Sequence, residues 1–493
     1  MEKEGGKMMG IDAGLFHYIF NPGSVAIIGA SPQDLATLAQ MSTKIRDRLF
    51  LVNPKYTEVR GQKCYPSLSS VEAGIDYAMV IVSATVVPGV LEECIQKGVK
   101  VAQIYTAGFS ETGIPERIEL ENRLKQAAEG RIRIIGPNCF GVYCPRSGLA
   151  IVPEAPEEGG SIGVVAQSGS VAESFSYFAR TKNLRFSKVV SYGNAADLDA
   201  PDFLEYLADD PETKMIALYI EGTRDAARLK RALARATGRK PVIAIKGGMT
   251  EQGMRAAASH TASLTGAPEI WRSLFRQIGA VQVESFEEMV GTVMALDRTP
   301  LPSGRALCMI TNSGGFSVIQ TDLCRKAGLE MPRFSEETLE RLRGLVPLAG
   351  TSIGNPLDAW PIYYNVSTSG NIADIIRTVA SDRNIHSLVF QFDQFRYLRR
   401  ALGKGVEAHM KVLIGLMVGG CLHAREKEKK PTLICVTLDP YLEDDEDRTY
   451  NLMIKRAFSE KGFPVYPSLE GAVKTLSHLC NFALRRRPSS FLS

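Results

Sequence analysis

Ser24-Val-Ala-Ile-Ile-Gly29-Ala-Ser31 is an apolar run that breaks on a glycine and two small residues. Four consecutive apolar residues running into a turn read as a β-strand buried on both faces. Residues 34–48 have helical composition, and Leu49-Phe-Leu-Val-Asn53-Pro-Lys55 supplies a second apolar run. Strand, turn, helix and strand in so short a span form a βαβ unit, and its first turn aims backbone N–H groups at a phosphate. The turn does not complete G-x-G-x-x-G, and Asn53-Pro-Lys55 stands where a dinucleotide-binding unit places an acid for the ribose. A lysine there suits a phosphorylated nucleotide.

Working outward, Ala78-Met-Val-Ile-Val-Ser83, Val101-Ala-Gln-Ile-Tyr105 and Arg133-Ile-Ile-Gly136 extend the same sheet, and the acidic, Pro- and Gly-rich residues 153–160 read as a linker. Ile162-Gly-Val-Val-Ala166 opens a second sheet. Gln167-Ser168-Gly169-Ser170 leads from it into a helix over residues 171–180, which Ser168 or Ser170 is placed to cap. Two further buried strands end in Tyr-Ile-Glu221-Gly222 and Lys246-Gly247-Gly248. Arg305-Ala-Leu-Cys-Met-Ile310, then Thr311-Asn312-Ser313-Gly314-Gly315 and a helix over 316–326, repeat the 162–180 unit. The expected architecture is α/β: a loose leader over 1–15, a Rossmann-like domain over 16–150, and two flavodoxin-like parallel-sheet domains over 161–297 and 304–487.

A chain of 493 residues, 45% hydrophobic, is too long for one core. Its net charge of +4 is small for that length and its basic residues are scattered, which gives no electrostatic case for nucleic acid. Nine cysteines without CxxC spacing argue against a metal site and for reduced thiols in a cytoplasm. No run is expected to reach the roughly 20 apolar residues of a membrane span.

His260 stands alone in Gly253-Met-Arg-Ala-Ala-Ala-Ser-His-Thr-Ala-Ser-Leu-Thr-Gly266, which reads as a loop of small residues. Ligands of open α/β sheets sit at the carboxyl ends of the strands, where Glu221 and this loop would meet. A carboxylate holding one imidazole nitrogen leaves the other free as a nucleophile. Without geometry the pair reads equally as a solvated histidine and a surface acid.

Seven short motifs narrow the choice. Phe-Asn-Pro-x-Ser-Val-Ala-x-Ile-Gly-Ala-Ser, Val-Asn-Pro-Lys and Gly136-Pro-Asn-Cys-x-Gly-Val occur in that order, followed by Gln-Ser-Gly, Gly193-Asn-x-Ala-Asp, Tyr-Ile-Glu-Gly and Ser-His-Thr-x-Ser-Leu-x-Gly. Together they resemble the NDP-forming acyl-CoA synthetases, relatives of the succinyl-CoA synthetase α subunit. The resemblance implies a CoA groove lined by Gly29, Ala30, Ser31, Lys55, Ser83, Ala84 and Thr106, with Asn138 and Cys139 near the thioester end. It implies that His260 is transiently phosphorylated, that Glu221 orients it, and that Gln167, Ser168 and Gly169 with Asn312, Ser313, Gly314 and Gly315 form opposed helix starts that hold the phosphoryl group. The chain departs from the family in lacking a glycine over 32–49 and in having Ser313-Gly-Gly-Phe316-Ser317 in place of Ala-Gly-Gly-Pro-Gly.

The implied reaction interconverts acyl-CoA, phosphate and ADP with carboxylate, CoA and ATP. No P-loop is present, and the few residues after 485 are expected to leave no room for an ATP-grasp module. ATP or ADP and Mg²⁺ are therefore expected on a separate ATP-grasp β subunit of a hetero-oligomer. A non-catalytic acyl-CoA sensor that retains the fold, and more distantly a nicotinamide-dependent dehydrogenase, stand as alternatives.

Overall fold

β1 (Val25–Ile28) is buried along its whole length and pairs in parallel with β2 (Leu49–Val52) and β5 (Tyr77–Val80). With β3 (Glu58–Val59), β4 (Gln62–Tyr65), β6 (Val101–Ile104) and β7 (Arg133–Ile135) it makes a seven-stranded sheet in the order β3-β4-β2-β1-β5-β6-β7. The chain leaves β1 in one direction and returns past it in the other. The crevice between the loops after β1 and β5 is thus the topological switch point, where open α/β sheets bind ligands. The computed structural model describes residues 13–261, 266–311, 314–346, 352–358, 369–392, 406–436 and 445–486.

The second sheet runs β13-β12-β11-β9-β10-β8, from β8 (Gly141–Tyr143), β9 (Ile162–Ala166), β10 (Phe186–Ser191), β11 (Met215–Ile220), β12 (Val242–Lys246) and β13 (Val281–Gln282). All pairs are parallel except β8 with β10. The third runs β15-β14-β16-β17-β18, from β14 (Leu307–Thr311), β15 (Leu357–Asp358), β16 (Ser387–Phe392), β17 (Thr432–Val436) and β18 (Val465–Tyr466), all parallel. Numbered within each sheet from β9 and from β14, both follow the flavodoxin order 2-1-3-4-5.

Two compact units meet at Glu284/Ser285. The first holds the first two sheets and the second holds the third. Three packing features cross the expected spans. A helix, Ala13–Phe20, starts inside the span read as a leader: Leu15, Phe16, Ile19 and Phe20 form its buried stripe, and Phe16 and Phe20 stack on Tyr206 at 4.3 and 5.2 Å. β8 belongs to the second sheet although it lies within 16–150. The helix Phe286–Arg298 belongs to the second unit, where it packs on the helix Leu469–Arg485 and where the Tyr466 hydroxyl donates to the Gly291 carbonyl.

One 21-residue helix, Val406–Glu426, is long and apolar enough to cross a bilayer by length and composition, contrary to expectation. Met410, Leu413, Met417 and Cys421 are buried in the core of the second unit, and the helix packs on Ile372–Ser381, which accounts for its apolar stripe.

Candidate active site

The turn after β1 passes so close to β5 that a side chain at Gly29 would place its Cβ 2.7 Å from the Ile81 carbonyl oxygen, and its φ of 99° is open only to glycine without strain. Asn53 ties the next turn to it. Its amide donates to the Ala30 carbonyl at 2.9 Å and its oxygen accepts from the Lys55 backbone at 3.0 Å, which leaves the Lys55 side chain exposed beside the turn. Ser83 is exposed after β5, Ala84 is buried beneath it, and the Thr106 hydroxyl after β6 donates to the Val82 carbonyl at 2.6 Å. Gly29, Ala30, Ser31, Lys55, Ser83, Ala84 and Thr106 thus share one carboxyl edge, with an exposed ammonium and turn amides suited to the phosphates of CoA.

Cys139 does not belong to that groove. It is buried, its thiol faces the carbonyls of Ile104 and Ile135 at 3.5 and 3.6 Å, and burial pushes its pKa well up. A thiol in that state is a small core residue. Asn138, with φ of 59°, turns its amide toward Asn194 at 3.4 Å. The neighbouring Phe140 stacks on Tyr105 at 5.3 Å and its ring lies 3.0 Å from where a Cβ on Gly169 would sit. The CoA edge and the first helix start therefore touch through an aromatic pair that no motif had indicated.

That helix, Gly169–Thr181, follows β9 directly. Ser168 occupies its N-cap position, but its hydroxyl pairs with that of Ser170 at 2.9 Å and makes no cap bond. The expected cap is absent, and the first-turn amides stay open toward the edge. Gln167 has a different task from the one expected of it. Buried, it accepts on its side-chain oxygen from the backbone N–H groups of Glu221 at 2.8 Å and Gly222 at 3.2 Å, which fixes the end of β11. The Glu221 carboxylate is itself buried and accepts from the Tyr219 hydroxyl at 3.0 Å.

His260 lies on the last turn of a helix, Glu251–Thr261, and not in a loop; its side chain is outside the described residues. The Thr250 hydroxyl accepts from the Gly253 backbone at 3.0 Å and starts the helix, and the alanines at 256–258 propagate it. Strand β12 holds both partners: Gly247 abuts the Glu221 side chain, and Gly248 abuts Gly253 and Ala257 of the helix. The helix also lies against the turn Ser110–Thr112, which continues the Thr106 loop of the CoA edge. The described contacts thus set the Gly169 helix start against Phe140 and the helix that bears His260 against the Ser110–Thr112 turn, while Gln167 fixes Glu221 at the end of β11. In the second unit, Gly314 and Gly315 open the helix Gly314–Lys326 and are exposed, with Asp358 Oδ2 2.9 Å from a Cβ built on Gly314; Asn312 and Ser313 lie outside the described residues.

Further groups went unread in the sequence. Asn194 is buried and donates to Glu111 at 2.6 Å and Glu121 at 3.0 Å, while Arg224, three residues beyond Glu221, donates to Glu121 at 3.2 Å and to the Asn194 carbonyl at 2.8 Å. Glu111 in turn accepts from the backbone of Gly108 and Phe109. Lys246 is buried at the end of β12, 5.1 Å from the centre of the Trp271 ring, and burial pushes its pKa down to about 8 while Glu221 opposes that shift. A lysine ending an apolar strand was the available signal. Among the described residues no cluster of His, Cys, Asp or Glu could hold a metal ion.

Residues 23–145 match the CoA binding domain family and residues 159–296 the succinyl-CoA ligase like flavodoxin domain family. Over 472 residues the chain is 32% identical to the α subunit of ADP-forming acetate–CoA ligase I of Pyrococcus furiosus, an alignment that covers 94% of this chain and 96% of that one. This chain belongs to the ADP-forming acyl-CoA synthetase family. The ADP-forming acetate–CoA ligase of Methanocaldococcus jannaschii is 42% identical over 347 residues, 69% of this chain, and the match spans about half of that ligase, 48%. Among solved structures, the dinucleotide-forming acetyl-coenzyme A synthetase 1 of Ca. Korarchaeum cryptofilum, in complex with phosphate and ADP, superposes with a TM-score of 0.80 at 28% identity over 96% of this chain and 97% of that one. Relatives named as ligases favour an acyl-CoA synthetase over a non-catalytic sensor or a dehydrogenase.

Proposed function

We propose that this chain is the α subunit of an ADP-forming acyl-CoA synthetase, and that it interconverts acyl-CoA, phosphate and ADP with carboxylate, CoA and ATP through phosphorylated His260. The observation that supports this most is that the Gly169 helix start abuts Phe140 and the helix that bears His260 lies against the turn continuing the Thr106 loop, with Glu221 fixed by Gln167. Inorganic phosphate attacks the thioester carbonyl; the C–S bond breaks and CoA leaves as its thiol, giving an acyl phosphate. An imidazole nitrogen of His260 then attacks phosphorus and the carboxylate departs with the electron pair of the broken P–O bond. The phosphoryl group on the ring carries roughly two negative charges. Open amides at a helix start offset them at no cost in reorganisation. Gln167 holds the backbone of Glu221 and Tyr219 holds its carboxylate, so the acid that orients the ring is itself fixed on both sides.

Transfer to ADP completes the cycle. We assign nucleotide and Mg²⁺ to a separate ATP-grasp subunit, in a hetero-oligomer, because the Pyrococcus relative matched over nearly its whole length is named subunit alpha. Nine cysteines, all buried, suit a reducing cytoplasm. The test is incubation with acetyl-, succinyl- or aryl-CoA and radiolabelled phosphate. One of these thioesters labels the wild type with acid-labile phosphate and leaves His260→Ala unlabelled; equal label on both proteins, or none on either, refutes the reading.

A further inference from the structure

Of the buried ionisable groups of the first unit that the mechanism above leaves without a task, Glu121, Lys188, Asp202 and Asp210 are held in ion pairs, and Lys246 lies beside Glu221 and the turn that follows β12. It ends β12, whose preceding residues Val242, Ile243, Ala244 and Ile245 are buried and apolar. A buried amine is costly unless something stabilises its charge, so a position with no need of one would carry a methionine or leucine. Two groups stabilise it: the ammonium lies 5.1 Å from the centre of the Trp271 ring, within cation–π range, and donates to the Gly247 carbonyl. Gly247 in turn abuts the side chains of Glu221 and Tyr219, so the amine is seated one residue from the acid of the site. The charged groups of the elements around it do not compete. Glu269 and Arg272 of the helix Pro268–Ile278 pair with each other at the surface, as do Glu251 and Arg255 of the helix bearing His260. Among the described residues, Glu221 is the facing charge that acts on Lys246, and Tyr219 is a further titratable group beside Gly247.

We propose that Lys246 is a positioning residue of the phosphoryl-transfer centre, its ammonium supplying the positive charge that offsets the Glu221 carboxylate as the phosphoryl group arrives on the imidazole. The inference rests on the reading of His260 as the phosphoryl acceptor. Without a counter-charge, a carboxylate beside a ring that gains roughly two negative charges would repel the transferring group in a water-poor edge, where such repulsion is weakly screened. Lys246 makes no covalent bond: the N–P bond forms at His260, the P–O bond of the acyl phosphate breaks, and the carboxylate takes the electron pair. Because burial holds the Lys246 pKa down at about 8, the ammonium is present below that pH and lost above it. The rate of transfer should fall on the alkaline side for that reason.

The experiment measures the initial rate of acid-labile phosphate incorporation from acetyl-CoA, or whichever thioester labels the wild type, and radiolabelled phosphate between about pH 6 and 10. Wild type shows an alkaline limb centred near pH 8. Lys246→Met, which matches the volume and removes the charge, lowers the neutral-pH rate by about 100-fold and loses that limb, with KM for the thioester within about twofold of wild type. Lys246→Arg, which stays charged throughout, recovers most of the rate and moves the limb above about pH 10. A merely structural lysine would change stability and KM without moving the limb. Wild-type rates in Lys246→Met, or a limb that stays near pH 8 in Lys246→Arg, overturn the proposal; the arginine arm decides the matter if the methionine variant does not fold. Absence of label on the wild type is a distinct result and overturns the phosphohistidine reading together with this one.

Discussion

Glu221 is placed by its neighbours more than by its own contacts. Gln167 holds its backbone, Tyr219 its carboxylate, and Gly247 leaves room for its side chain: a Cβ there would lie 2.9 Å from the Tyr219 hydroxyl and 3.1 Å from Glu221 Cγ. Gly247→Ala must therefore push the acid. We expect labelling of the protein by acyl-CoA and phosphate to slow by about 10- to 100-fold, since misplacement on the ångström scale carries penalties of that size. Labelling at the wild-type rate would show that the acid does not orient the ring. At this scale the sequence was uneven. His260 and Glu221 drew attention because their residue types stood out against small or apolar surroundings. Cys139 misled, because a motif position says nothing about which way a side chain points, and the thiol points into the core. Lys246 was passed over because a strand-end lysine is ordinarily solvated, and only the fold shows that it is buried.

Elements were legible where a run was long and apolar. β9 begins and ends at the residues expected, since buried parallel strands are continuous apolar runs bounded by turns. The helix bearing His260 was read as a loop because glycine and serine dominated its appearance, although Thr250 and the alanine run carried the helix signal. β8 went unread because three residues cannot specify a strand or its partner by propensity. What joins the first two sheets is a buried polar node that no pattern announces. Glu121 lies at its centre, bonded to Ser110, Asn194, Lys125 and Arg224. Burial raises its pKa, but the hydrogen bonds from Ser110 and Asn194 and the Lys125 charge outweigh burial and leave it lowered. A carboxyl with a lowered folded-state pKa contributes stability above its unfolded value and loses it as pH falls through the folded one. Wild type should exceed Glu121→Gln in stability by about 2–3 kcal/mol at neutral pH, with the gap closing below about pH 4. Thermal unfolding of both proteins across that range is the measurement, and a gap independent of pH would remove the charge from the account.

At the scale of the molecule, the strand orders were the most legible feature of all. A βαβ start followed twice by strand, small-residue turn and helix admits few topologies once crossovers are right-handed, and both later sheets adopt 2-1-3-4-5. Each of those sheets opens a helix on glycine at the carboxyl end of its first strand, Gly169 in one unit and Gly314 in the other. Such edges bind anions, and one covalently held phosphoryl group needs no more than this to persist. Handing it to ADP needs more: a nucleotide seat and a divalent cation to neutralise charge between two phosphates. The subunit organisation proposed above places these on another chain. We therefore expect the isolated chain, given acyl-CoA and phosphate, to gain acid-labile phosphate up to about one equivalent, since a single histidine accepts it, and to stop there. Adding ADP and Mg²⁺ should leave that label in place, and adding an ATP-grasp subunit as well should discharge it as ATP and restore turnover. Continuous ATP formation by the isolated chain would put the nucleotide seat within these residues and end the two-chain account, while leaving the chemistry at His260 intact.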